Sequence, residues 1–568
     1  VQLTDEQVDF VDTFRAGGHM SGQAGAGCGK SSTLVAAARA AGRRDGRLLT
    51  YNRAAARAAK AMFPATVRCS TMHGQAWHIG RLYAERNRVP MPPGATTKGP
   101  RRQYGRDVAA ILDITSSLHC DGIPVSAARL GGLAIAAVNQ WCLGIDPHIT
   151  AAHVAPQKML TPAGNAELAA GVVALARRAW RDICDLDNGR LTVSHDAYMR
   201  MWWDTGRARM RTDYILLDEA QDTNVLAEAI LMAQRDHAQL VAVGDSAQAL
   251  YEWRGAVDAL TRWPGPTLWL SQSFRFGQAI ADEANLALDL LGSPLRLRGT
   301  PGVDSAVGRS AAPDAVLCRT NAGAVAAAIA ALEAGRRPAL AAGAGPIREF
   351  AQAAQRLMDG LPVDHPDLFA FPNWEAVCDY VDSDDEGAAD LTMPVGLVRE
   401  HQPDGLIRLV DTIAAQPRTD VVMSTVHGAK GLEWPSVRCG DDLPSPGWER
   451  GNRRPVRPSD GRLAYVALTR PRHRLDVGGL AWLAEWAADR SVPRGTAYQQ
   501  AGRADRRAPV VGMPIPASIP RHLHPAVRVA RGVWQDMWPG MELDGTADLI
   551  VAALAKDGFL RPGPDVSS

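Results

Sequence analysis

The segment AGAGCGKSS at 24–32 sets Gly27 and Gly29 on either side of Cys28 and follows them with Lys30 and Ser31. Glycines at this spacing let a backbone curl until its N–H groups converge on an anion. The stretch Gly25, Ala26, Gly27, Cys28, Gly29 would cradle phosphate, and Lys30 would reach the outer phosphates of a nucleoside triphosphate. Ser31, with Ser32 beside it, would offer a hydroxyl to a divalent cation. The run STLVAAARAA predicts a helix whose N-terminus favours an anion. Ala24 stands where the common pattern has its first glycine, and the preceding GHMSGQ reads as a weak strand.

Such a loop needs a carboxylate partner. YILLDEAQD at 214–222 is an apolar run of strand length ending in two carboxylates. Parallel strands present side chains at their carboxyl ends, so Asp218 is placed to hold Mg²⁺ and Glu219 to activate water. An acidic cap on a core strand is the plainer alternative, and the phosphate loop argues against it. A further strand, QLVAVGD at 239–245, leads into SAQALYEWRGA. There Gln248 suits a γ-phosphate sensor, Tyr251 and Trp253 could stack on bases, and Arg254 could neutralise a backbone phosphate; core aromatics are the alternative.

These residues, in this order, resemble the motifs of superfamily 1 helicases of the UvrD/Rep branch. The resemblance implies ATP and Mg²⁺ as cofactors and an α/β fold of two RecA-like P-loop lobes with parallel sheets, each interrupted by a mainly helical insertion. It places Gln7 of LTDEQ as an adenine reader. In LLTYNRAAARAAKAMFP and CSTMHGQAW, Asn52, Arg53, Thr71 and His73 match DNA contacts; the usual stacking Phe is out of register, with Tyr51 one residue away. In LSQSFRFGQAI, Phe274 matches the adenine-stacking ring and Arg275 a γ-phosphate contact. In VVMSTVHGAKGLEWPSV, Thr425 and His427 match DNA contacts and Glu433 a ribose ligand. RLAYVALTRPR supplies Arg470 as the second arginine finger. The catalytic set is therefore Lys30, Asp218, Glu219, Gln248, Arg275 and Arg470, with Ser31 and Asp218 on the metal. Ser459, Asp460 and Gly461 replace the paired glutamates usual before the last motif. Within the branch, LLTYNRAAARAAKAMFP and VSHDAYMRMW at 193–202 look most like the F-box DNA helicases, without a recognisable F-box before Leu3.

The implied activity is an ATP-dependent helicase or translocase on single-stranded DNA, moving 3′ to 5′. A remodeller that displaces DNA-bound proteins with little strand separation, or an ATP-gated single-strand clamp, is the alternative. The partners are single-stranded DNA and ss/ds junctions, together with a loading or regulatory protein; the chain is expected to be monomeric.

Lobe one is expected from 1–76 and 206–268, with insertion 77–205; lobe two from 269–340 and 418–490, with a short insertion 341–417; and an extension of unassigned role at 491–568. Arg81, Arg86, Arg88, Lys98, Arg101, Arg102 and Arg106 form a basic run suited to a duplex or a solvated loop, and DSDDEG at 382–387 reads as a solvated loop. With 46% hydrophobic and 22% charged residues the chain is globular in type, and a net charge of +1 neither favours nor excludes nucleic acid. No leader-like or membrane-length apolar run is seen, so a cytoplasmic, nucleoid-associated location is expected. Eight scattered cysteines make neither a zinc pattern nor a disulfide framework. Cys28, at a helix start beside Lys30, is expected to have a lowered pKa and to be alkylated unless nucleotide protects it; a small, buried, inert side chain is the alternative.

Overall fold

The computed structural model describes residues 2–488 apart from 92–98, 101–102, 158–159, 252–255, 364, 366, 370, 383–388, 447, 450–451 and 454–455. Trp253, Arg254, Lys98, Arg101, Arg102 and the extension 491–568 lie outside the described residues, as does most of DSDDEG.

Six strands, β1 (Met20–Ala24), β2 (Gly46–Thr50), β3 (Val67–Thr71), β4 (Tyr214–Asp218), β5 (Gln239–Gly244) and β6 (Thr267–Leu270), make the first sheet in the order β3-β2-β4-β5-β1-β6. Every neighbouring pair is parallel. β4 and β5 are almost wholly buried, as their unbroken apolar runs require. β1 is equally buried although its sequence is MSGQA. Its polar side chains find partners inside: Ser21 Oγ lies 2.9 Å from Thr267 Oγ1, and Gln23 Nε2 donates to Ser246 Oγ at 2.5 Å.

The insertion after β3 contains the helices Ala127–Cys142, Pro162–Cys184 and His195–Asp204. Trp141 meets Trp180 edge-on at 5.0 Å, and the buried Arg200 guanidinium lies 3.7 Å from the Trp141 centroid while pairing with Asp204 at 2.8 Å. The basic run is corrected here. Arg88 is 6% exposed and donates to the carbonyls of Leu191 and Asp182, each at 2.9 Å, so it braces the insertion and is not presented to a duplex. Arg81 and Arg86 pair with Glu85 and Asp187.

The second sheet is also six-stranded and parallel. Its strands β7 (Ala306–Val307), β8 (Ala315–Cys318), β9 (Pro338–Leu340), β10 (Val421–Thr425), β11 (Trp434–Cys439) and β12 (Pro471–Asp476) run in the order β9-β10-β8-β11-β12-β7. Between β9 and β10 stand the helices Gly345–Met358, Trp374–Asp382 and Ala389–Ala414, the last broken at Gln402 (φ 55°) just before Pro403. One apolar cluster joins the two lobes, running from Phe10 and Leu34 through Phe276 and Ile280 to Leu463 and Leu475. Among the described residues no helix is long and apolar enough to cross a membrane.

Candidate functional site

β1 ends at Ala24, and the chain turns through the glycine loop into the helix Lys30–Ala40. Gly27 and Gly29 take φ values of 76° and 75°, which residues bearing a Cβ rarely adopt. Space is as restrictive as conformation. A Cβ on Gly27 would lie 2.6 Å from Ser273 Oγ, and one on Gly29 would lie 2.9 Å from Gln7 Nε2 and 3.2 Å from the Phe274 ring. Gln7 and the half-exposed Phe274 thus flank one glycine, leaving a ring face against which a base could stack. Gln7 is fixed by donating to Thr33 Oγ1 at 3.0 Å and accepting from the Thr4 N–H at 3.1 Å. The loop is tied to its surroundings as well. Ser273 donates to the Ala26 carbonyl at 2.8 Å, and Tyr465 Oη accepts the Ala26 N–H at 3.1 Å while donating to Asp245 at 3.0 Å. Gly25 is buried in the same turn, and Ser31 and Ser32 are exposed in the first helical turn.

The expectation for Cys28 is overturned. Its side chain turns inward and is 2% exposed. Burial, and after it Asp245, pushes the thiol well above its ordinary range and outweighs Lys30.

Lys30 Nζ lies 3.7 Å from Glu219 Oε1. Burial works against the ammonium, but Glu219, Asp245 and Asp218 outweigh it and hold its pKa above the ordinary value. Asp218, at the end of β4, accepts the Glu219 N–H at 3.0 Å. Burial and then Glu219 push its carboxyl up to about 7. Glu219 moves the other way: against the effect of burial, Lys30 and Lys430 lower it. It also sits at φ 55°, a conformation unusual for a residue with a side chain, and accepts from Gln221 Nε2 at 2.6 Å. Adjacent carboxyls driven apart in this way suit different tasks. The Asp218 carboxylate and the Ser31 hydroxyl are hard oxygen donors at the edge of the phosphate loop, a set that fits Mg²⁺.

The second lobe brings its cations to this cluster. Arg470 is 1% exposed; it donates to the Val466 carbonyl at 2.9 Å, to Thr469 Oγ1 at 3.0 Å and to Gln248 Oε1 at 3.3 Å. Burial, then Arg275, pulls it down to about 9, which leaves it charged at neutral pH. Gln248 in turn donates to Asp245 at 2.6 Å. Arg275 binds Glu433 Oε2 at 2.6 Å and the Thr469 carbonyl at 2.9 Å, and Arg472 Nε takes the other Glu433 oxygen at 2.8 Å. Glu433, expected at a ribose, therefore holds two guanidiniums; burial opposes its charge, but Arg275 and Arg472 keep it below the usual carboxylate range.

Lys430 escaped the sequence reading. Its Nζ lies 2.7 Å from both Asp222 oxygens, 2.6 Å from the Gln248 carbonyl and 5.0 Å from the Tyr251 centroid. One buried ammonium of lobe two thus touches the end of DEAQD, the sensor loop and an aromatic of the expected strand track. Tyr465 was missed too, although it lies in RLAYVALTR.

The expected strand contacts sit at strand ends. Thr71 closes β3 and Thr425 closes β10, and each caps a four-residue helix by accepting a glycine N–H, from Gly74 or Gly428, at 3.1 Å. The two sequences, STMHG at 70–74 and STVHG at 424–428, are a repeat that was visible beforehand. Asn52 caps the helix Arg53–Met62 through the Ala55 N–H at 2.8 Å, and Arg53 is exposed. His73 Nε2 lies 2.8 Å from Asp196, and Tyr251 Oη donates to the His427 carbonyl at 3.4 Å. Tyr51 stacks on Tyr251, with centroids 5.9 Å apart and planes 4° from parallel. Asp460, at the altered position before the last motif, is buried between Arg319 at 3.2 Å and Arg457 at 2.8 Å.

A family model described as the UvrD/REP helicase N-terminal domain matches residues 193–260. F-box DNA helicase protein 1 of Schizosaccharomyces pombe is 26% identical over 514 residues, covering 83% of this chain and 57% of that protein. F-box DNA helicase 1 of Gallus gallus is 26% identical over 508 residues, 83% of this chain and 48% of its own. A probable DNA helicase II homolog of Mycoplasma pneumoniae is 40% identical over 84 residues, 13% of this chain and 12% of that one. The chain spans about half the length of the two F-box relatives. Residues 193–260 match the UvrD/REP helicase N-terminal domain, and the chain has distant homology, at 26% identity, to the F-box DNA helicases over most of its length.

Proposed function

We propose that this chain is an ATP-driven motor that translocates 3′ to 5′ on single-stranded DNA and separates strands at ss/ds junctions, with lobes at about 1–76 and 206–268 and at 269–340 and 418–490. The observation that carries the reading is the meeting of Arg470 from lobe two with Gln248 from lobe one at 3.3 Å, beside Lys30, Asp218 and Glu219. Mg²⁺–ATP, when bound, supplies the γ-phosphoryl group whose transfer to water releases the free energy for movement. Lys30 and the glycine loop would hold the phosphates, Ser31 and Asp218 would hold the metal, and Glu219, ionised beside Lys30, would take the proton of the attacking water. Arg275 and Arg470 offset the charge that spreads over the phosphoryl oxygens, a role in which such arginines change kcat by roughly 10³ to 10⁵. Gln7 and Phe274 would receive the base, and Glu433, besides holding Arg275 and Arg472, would accept from the ribose.

Because the arginines and the carboxylates come from different lobes, hydrolysis is tied to lobe closure. Thr71 and Thr425, with His73 and His427, stand at corresponding places in the two lobes and would grip successive phosphates, so that closure moves one grip relative to the other. The test is strand displacement on duplexes bearing a 3′ or a 5′ tail, run beside displacement of a protein block from single strand. ATP-dependent unwinding from the 3′ tail supports the helicase. Displacement of the block without unwinding points to a remodeller.

A further inference from the structure

The segment SHDAY at 194–198 was singled out in the sequence only as a subgroup marker, yet it stands against the first-lobe strand track. Ser194 caps the helix His195–Asp204. This end of the helix sets Asp196 Oδ1 2.8 Å from His73 Nε2 and places the His195 ring 5.8 Å from the His73 ring. His195 Nδ1 lies 3.0 Å from Tyr198 Oη, and the Tyr198 ring meets His73 edge-on at 6.4 Å. His73, His195 and Asp196 are all partly exposed, and the exposed Arg53 is near enough to act on both His195 and Tyr198. Two imidazoles and a guanidinium thus share one face with the Asp196 carboxylate, which is engaged with His73.

We propose that this face binds a phosphodiester of the single strand with net proton uptake, the phosphate bridging His73 and His195, and that Asp196 is the positioning residue that fixes the His73 ring. With Nε2–H given to Asp196, His73 keeps Nδ1 for the strand, and a proton arriving there with the phosphate would make it a donor. The Tyr198 hydroxyl can donate to or accept from His195 Nδ1, so the ring is held in either charge state, leaving Nε2–H for phosphate. Burial, then His73 and Arg53, lowers the His195 pKa and Asp196 only partly opposes this, which favours the neutral ring before an anion arrives. A phosphate oxygen reverses the balance, and a proton is taken up with the strand. His427, in lobe two, is lowered by burial, Arg319 and Lys430 and forms no part of this cluster.

The inference rests on the single-strand reading above. Its test is the affinity of the full chain for a labelled 20-nucleotide thymidine strand from pH 5.5 to 8.0 at fixed ionic strength, with calorimetry near pH 7 in two buffers of different ionisation enthalpy. Expected is tightening as pH falls, up to about tenfold per pH unit per proton, and a buffer-dependent heat reporting uptake. His195→Arg should keep tight binding and flatten the profile, because a fixed cation needs no proton. Asp196→Asn should weaken binding and reduce uptake. A heat independent of buffer in the unaltered chain, or an undiminished slope in a folded His73→Gln/His195→Arg chain, overturns the inference while leaving strand binding intact. Absence of strand binding at every pH overturns the single-strand reading itself.

Discussion

Replacing Lys430 by Met removes an ammonium but keeps most of the side-chain volume, so its effect isolates the ion pair with Asp222. That pair is 8% and 3% exposed, and burial holds Asp222 at about 6 even with Lys430 beside it. A folded-state carboxyl raised above its unfolded value favours the fold at low pH, and this contribution is lost as pH rises from about 4 to about 6. Above pH 6 the unaltered chain ionises Asp222 against Lys430, whereas the Met variant keeps it protonated. Each pH unit then adds about 1.36 kcal/mol to the difference between the two proteins, or about 2.7 kcal/mol from pH 6 to 8. This remains under the roughly 3–5 kcal/mol of stranding a buried charge, because the carboxyl neutralises instead. Urea unfolding of both proteins at pH 5.5 and pH 8 reads it: the midpoint gap should open with pH at unchanged slope. Adding Asp222→Asn should close most of the gap at pH 8. A gap that is the same at both pH values would mean that Lys430 does not hold the Asp222 charge.

Other outcomes follow from the same geometry. Arg470→Lys should lose hydrolysis almost as fully as Arg470→Ala, since a point charge cannot reproduce a guanidinium engaged with Val466, Thr469 and Gln248; single-turnover rates at saturating ATP check it. Tyr465→Phe removes the oxygen joining the Ala26 N–H to Asp245 and should destabilise the chain by about 2–4 kcal/mol, read by urea unfolding; a shift below about 0.5 kcal/mol would contradict the tether. Cys28 should react with iodoacetamide at pH 7.5 more slowly than Cys378, the one cysteine that is not buried. Peptide mapping decides this, and equal rates would contradict the inward placement.

The parts of the site that the sequence made legible were those written in contiguous residues. Apolar runs ending in carboxylates, as in YILLDE, fix both a buried strand and the place of its last side chains, and a glycine pair before Lys-Ser admits few backbones. β1 was harder to read because MSGQA hides its burial: its polar groups are satisfied by Thr267 and Ser246, far away in the chain. The sign of the Cys28 shift turned on whether its thiol faced solvent or core, and helix position alone does not specify that. Arg88 belongs to a run of cations, yet a set of carbonyls draws it inward. Lys430 and Asp222 are 208 residues apart, so their pairing exists only once both lobes are assembled. The repeated Ser-Thr-X-His-Gly was an available signal that went unread.

The most direct test of the motor reading is steady-state ATP hydrolysis with and without single-stranded DNA by the intact chain, Lys30→Ala and Arg470→Ala. Strong stimulation by DNA, lost in both variants, is expected of a strand-coupled motor. Hydrolysis that is absent from a folded, nucleotide-binding chain, or indifferent to DNA, would contradict it.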